Sequence, residues 1–145
     1  MIHLTSLPIL TKNLFTFFAT AHLMPLAFVI SKLIDVDFQN KDNPLTNLGV
    51  LLSAGQILYL LIAMWIYPTI PEKMLMVIAM IFGAHLLPYS WLYKSKSYMV
   101  FAIVIPFLAL LLGITSQPHE LAMAMVGVEI IFSLCLVAEN KSLRS

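Results

Sequence analysis

Charge is what this chain most lacks. Asp, Glu, Lys and Arg make up only 10% of its 145 residues, whereas 61% are hydrophobic and the mean hydropathy is +0.95. A soluble domain carries roughly a quarter charged residues on its surface, so a water-clothed fold is excluded. Eight Lys and Arg leave a net charge of +1, with no basic footprint for nucleic acid, which is excluded as a partner. Cysteine is nearly absent as well. Cys135 stands alone, so no disulfide can staple a small extracellular scaffold. What the chain has in abundance is long apolar runs, and these imply an integral membrane protein in the lipid bilayer.

A hydrocarbon core of about 30 Å is crossed by about 20 apolar residues in a helix. Five segments meet or approach that length: Asn13–Ile34, Leu48–Pro68, Met74–Tyr93, Tyr98–Thr115 and His119–Ala138. The expected fold is all-α, a single membrane domain over residues 1–145 with about five transmembrane helices. Only Asp35–Asn47 is a loop of any length, and its Asp, Asn, Gln and Pro residues are turn formers. Asp35, Asp37 and Asp42 read as a solvated acidic loop in preference to a cation site. Ala19-Thr20-Ala21 has the small-x-small form of a signal-peptide cleavage site. The apolar run before it, Leu14 to Phe18, is shorter than an ordinary h-region, so the first helix is expected to be retained.

If the helices alternate, Lys32, Lys41, Lys94, Lys96, Lys141 and Arg144 share one side and Lys12 and Lys73 the other. The positive-inside rule then predicts an outside N-terminus and a cytoplasmic C-terminus. Trp65 and Tyr67 close the second helix, and Tyr89, Trp91 and Tyr93 close the third, as aromatic residues do at membrane interfaces.

One internal similarity stands out. Ala21-His22-Leu23-Met24-Pro25-Leu26-Ala27-Phe28 resembles Ala84-His85-Leu86-Leu87-Pro88-Tyr89-Ser90-Trp91, with A-H-L-x-P in common. The copies sit in helices that run the same way, which suggests a parallel duplication of a helical hairpin followed by a fifth helix. A proline inside a helix frees the carbonyl four residues earlier. Pro25 would thus free Ala21, Pro88 would free Ala84 and Pro106 would free Ala102, giving three candidate kinks.

Glu129, His22 and His85 fall near mid-depth in co-directional helices, and Gln56 lies near the centre of the second. Ionisable groups in hydrocarbon cost about 2.5–3.5 kcal/mol on insertion scales, so they should face the bundle interior and pair. Three readings stay open for this polar cluster of His22, His85, Glu129 and Gln56. The residues hold helices together; or they line a cavity for protons, a cation or a small solute; or His22, His85 and Glu129 bind a metal. Two His and a Glu are a legitimate zinc set, but no clustered ligand spacing supports it, and neither a metal nor a cofactor is expected. No nucleophile–base pair is recognisable, so the chain leans away from an enzyme. Gly49/Ser53, Ala79/Gly83 and Ala109/Gly113, each spaced by four, suit close helix packing. The nine methionines read as flexible core filling, Cys135 as an inert buried thiol, and His3 and His119 as interfacial residues.

Longer blocks carry a family resemblance. Asp42-Asn43-Pro44-Leu45 with Leu48-Gly49, Gln56-x-x-Tyr59-Leu60-Leu61-Ile62 with Trp65, Pro71-Glu72-Lys73-Met74, and Phe82-Gly83-Ala84-His85-Leu86-Leu87-Pro88-Tyr89-Ser90-Trp91-Leu92-Tyr93 resemble the DUF7010 family over about residues 20–140. The last block is the most specific. The resemblance implies a small multi-pass protein of the bacterial cytoplasmic membrane and no activity, cofactor or site residue. It also implies a further hydrophobic helix at the N-terminus of relatives, so a shortened member or a fragment is expected here. Functionally, the expectation is small-solute or proton/cation permeation through the His/Glu cluster. The alternative is an accessory or scaffolding subunit whose polar residues only join helices. Five short helices are few for a pathway within one copy, so a homo-oligomer is expected.

Overall fold

The computed structural model describes residues 2, 5–22, 26, 29, 30, 33 and 45–144. His3, Pro25, the loop aspartates Asp35, Asp37 and Asp42, and most of the first A-H-L-x-P copy lie outside the described residues. Among the described residues the chain is all-α. Its helices are α1 (Ile9–Ala21), α2 (Leu45–Thr69), α3 (Met74–Leu92), α4 (Lys96–Thr115) and α5 (Pro118–Arg144), with a 3-10 turn at Pro71–Lys73. Four stretches are long and apolar enough to cross a membrane: Leu45–Thr69, Pro71–Leu92, Lys96–Thr115 and Pro118–Ser142. The 13 residues of α1 rise only about 20 Å. Most of the remainder of the expected first span, Asn13–Ile34, lies outside the described residues.

Local chemistry sets the boundaries. Pro71 disfavours helical backbone in the residue before it, and Ile70 accordingly takes φ −139° and ψ 69° between α2 and the 3-10 turn. Between α3 and α4 the chain reverses through Lys94 at φ 50° and Ser95, whose hydroxyl accepts the amide of Tyr98 as an N-cap. Pro118 opens α5, and Glu120 accepts the backbone N–H of Gln117 at 2.9 Å, as in a capping box.

From α2 onward the helices pack in sequence as antiparallel neighbours. Gly49 of α2 meets Leu92 near the end of α3, while Ala63 clusters with Met74 and Ile78 near its start. Met76 lies against Gly113, and Gly83 against Ile105 and Pro106, which sets α3 against α4. Leu121 joins Leu75, Ala79 and Ala109 in one buried cluster, and Phe132 joins Leu86, Ala102 and Ile105 in another. Side chains of α3, α4 and α5 therefore share one core. Phe17 of α1 packs on the cluster of Ala63, Met74 and Ile78. Each small-residue pair contributes to a helix interface: Ala79, Gly83, Ala109 and Gly113 are buried, and Gly49 lies close to Leu92. Without a bulky side chain at these points, two backbones approach closely enough for dispersion contacts to hold them in lipid.

Both α3 and α4 run unbroken through their prolines, Pro88 and Pro106. Met74 is fully buried as core filling, but Met64, Met99 and Met123 are exposed and fill no core; Cys135 is half-buried and His119 exposed.

Candidate functional site

The two mid-span groups nearest the centre of their helices are Gln56 and Glu129. Each lies one residue from the midpoint of its span, Leu45–Thr69 and Pro118–Ser142 respectively. On α2, Gln56 belongs to the stripe Gly49, Ser53, Gln56, Leu60, Ala63 and Tyr67, spaced by fours and threes, that turns toward α3. His85 lies on the same side of α3 as Met74, Ile78 and Tyr89, the side packed on α2. Antiparallel pairing of Gly49 with Tyr89 at one end and of Ala63 with Ile78 at the other brings Gln56 and His85 to one level of this seam. Both residues are half-buried, and the His85 ring meets Tyr89 edge-on at 5.1 Å.

Glu129 belongs to a different face of the bundle. Leu121, Met125, Val128 and Phe132 form the seam of α5 against α3 and α4, and Glu129 flanks it, half-buried. The same offset separates Leu75 from Leu121 and Leu86 from Phe132, which sets Glu129 opposite Gly83. That is two residues from His85, about 3 Å along the axis. Equal depth therefore does not bring these two groups onto one seam. His22 caps the end of α1 and is exposed, its Nδ1 2.7 Å from the Phe18 carbonyl oxygen. The two motif histidines thus occupy unlike positions: one follows the last residue of its helix, the other lies inside α3. The side chains of Gln56, His85 and Glu129 make no hydrogen bond to a described residue. No three His, Cys, Asp or Glu residues among those described gather as a metal site requires.

Four polar ties between elements were not singled out in the sequence. Asn13, 1% exposed, donates its Nδ2 to the Pro71 carbonyl at 2.6 Å. Lys73 donates Nζ to the Gly113 carbonyl at 2.6 Å, placing a cation near the negative end of α4. Tyr89 bonds to the Ser53 hydroxyl and donates to the Gly49 carbonyl at 3.2 Å. The Glu139 carboxylate accepts the Ser95 hydroxyl at 2.7 Å and the amides of Lys96 and Ser97 at 2.8 and 3.1 Å. A carboxylate suits the positive N-terminal end of a helix, so Glu139 ties the end of α5 to the start of α4. These ties escape sequence reading because each joins residues 36 to 58 positions apart. The one readable signal was Ser95, an N-cap residue type just before an apolar helix. Beside it, burial first and the neighbouring Tyr89 second push the Tyr93 hydroxyl above its ordinary value.

Tyr89→Phe removes a phenol that engages α2 at two points. Interhelical hydrogen bonds in membranes average about 0.6 kcal/mol, so a loss of about 0.5–1.5 kcal/mol in unfolding free energy is expected. Thermal unfolding in detergent checks it, with Tyr59→Phe, on the exposed face of α2, as the control.

Alternation of helices also sorts the described basic residues. The bond between Glu139 and Lys96 gathers Lys94, Lys96 and Lys141 at one end of the bundle, and the bond between Asn13 and Pro71 gathers Lys12 and Lys73 at the other. The sequence profile of DUF7010, a family of unknown function, matches residues 1–139. The chain belongs to DUF7010. The DUF7010 match extends beyond the resemblance drawn from the sequence blocks, covering the N-terminal residues through α1, and it reaches Glu139. No curated protein and no solved structure matches this DUF7010 chain.

Proposed function

We propose that this DUF7010 protein passes protons or a small cation across a bilayer, with Glu129 as the carboxyl group that takes up the permeating charge. The observation that carries this reading is a carboxyl one residue from the middle of an apolar span that makes no hydrogen bond to a described residue. An intramembrane carboxyl is a functional suspect by default, because only water, a cation or a partner offsets its cost in hydrocarbon. His85 and Gln56, at similar depth on the α2–α3 seam, are the further polar groups along such a route, and His22 lies at the end of α1. Because Glu129 and His85 occupy different faces of one copy, the route is completed by a second copy, and the working unit is a homo-oligomer. The end bearing Lys94, Lys96 and Lys141 is taken as cytoplasmic, in accord with the positive-inside rule, and the membrane as the bacterial cytoplasmic membrane.

Purified protein in liposomes tests this directly. Proton and monovalent-cation flux above that of protein-free vesicles is expected for the wild type, falling to background in Glu129→Gln. Background flux in both proteins would overturn the proposal. A second reading, an accessory subunit whose polar groups only join helices, is supported by the four ties through Asn13, Lys73, Tyr89 and Glu139. Under it, neither the wild type nor Glu129→Gln raises flux above that of protein-free vesicles.

A further inference from the structure

Where α3 ends and α4 begins, a groove of about 510 Å³ opens, lined by Leu45, Ser90, Trp91, Lys94, Lys96 and Met99 among others. It lies at the ends of two spans, Pro71–Leu92 and Lys96–Thr115, and hence at the level of lipid headgroups. Most of its lining is apolar, and two of the apolar residues lie open: Trp91 is 70% exposed and Met99 49%. Lys94 and Lys96 also line it; both are exposed, and neither forms an ion pair with a described residue. Lys94 holds a left-handed φ of 50°, a backbone state that glycine adopts without steric cost.

We propose that this groove binds an anionic phospholipid, with the phosphate held by Lys94 and Lys96 and an acyl chain laid along Trp91 and Met99. The charges of the two sides are complementary, since a basic pocket between helices at the membrane surface is suited to acidic headgroups. The helix N-terminus itself is not the anion site. Its first amides and the Ser95 hydroxyl are already taken by the Glu139 carboxylate, which leaves the lysines to hold the phosphate. A free phosphate would use the ammonium groups but gain nothing from the apolar lining of Leu45, Trp91 and Met99. The lipid is therefore the occupant that matches the whole groove.

The two tryptophans lie at opposite ends of the bundle, so Trp65→Phe leaves Trp91 as the sole reporter. In phosphatidylcholine vesicles doped with a minor fraction of brominated lipid, brominated phosphatidylglycerol is expected to quench Trp91 more strongly than brominated phosphatidylcholine. Lys94→Gln with Lys96→Gln should reduce that preference by about fivefold per lysine, the equivalent of about 1 kcal/mol each near a membrane surface. Lys94→Arg with Lys96→Arg should keep it, which separates loss of charge from loss of fold. Equal quenching by the two lipids overturns the proposal, as does a preference that survives the double glutamine variant. Displacement of the brominated phosphatidylglycerol by added inorganic phosphate also overturns it, by assigning the groove to a free anion.

Discussion

Gly83→Ala is expected to cost about 1–3 kcal/mol, the range for overpacking a filled core. A Cβ on Gly83 would stand 2.5 Å from the Pro106 Cδ and 2.7 Å from the Ile105 Cγ2. Real Cβ atoms do not approach that closely, so a neighbour has to move. The Pro106 ring has no side-chain rotation with which to retreat, and Ile105 is completely buried. Relief therefore requires α3 and α4 to separate, which loosens the core they share with α5. Gly55 and Gly127 supply the control, because a Cβ at either meets nothing within 4 Å. Alanine there should be neutral or gain up to about 1 kcal/mol of helix propensity. The unfolding midpoints of the three variants in one detergent decide the matter. A Gly83 variant no less stable than the Gly55 variant would mean that contact at Gly83 does not hold this pair of helices.

Asn13→Ala is expected to weaken the attachment of α1 by about 1–3 kcal/mol, the usual cost of disrupting a buried polar pair. The Asn13 amide reaches the Pro71 carbonyl from α1, and the same carbonyl accepts the Met74 amide where the 3-10 turn passes into α3. The bond thus pins α1 to the point from which α3 rises. Its loss should raise proteolytic cutting within residues 9–21 more than it lowers the unfolding midpoint of the bundle, since the bond ties α1 to the turn before α3, while Phe17 keeps its packing on the cluster of Ala63, Met74 and Ile78. Asn13→Asp tests geometry against hydrogen bonding. It preserves the shape but has no amide donor, and it should lose at least as much as alanine. Unchanged cleavage in both variants would show that the bond from Asn13 to Pro71 does not hold α1 in place.

These two sites differ in how far the sequence announced them. Gly83 was legible as one of a pair with Ala79, because small residues spaced by four are what close helix packing in lipid demands. Asn13 was legible only as the polar start of an apolar run, and nothing local pointed to Pro71, 58 residues away. The mid-span polar residues fall between these cases. Counting along each helix was enough to bring His85 and Glu129 to nearly one depth. Counting could not say that His85 turns toward α2 while Glu129 flanks the seam of α5.

Composition and run length alone determined the class of this protein. With 61% hydrophobic residues and 10% charged, its backbone amides must be satisfied within helices and its side chains have nowhere to go but lipid or one another. Tertiary structure alone decided which face of each helix is inside. A helix in water shows its buried stripe by contrast with a polar face, but α3 and α4 carry apolar residues on every side, because lipid and core reward the same side chains. That choice fell to shape, through Gly83 against Pro106 and Gly113 against Met76, and to hydrogen bonds between distant residues such as Glu139 and Ser95. Both are properties of pairs of helices in contact and have no expression in either helix alone.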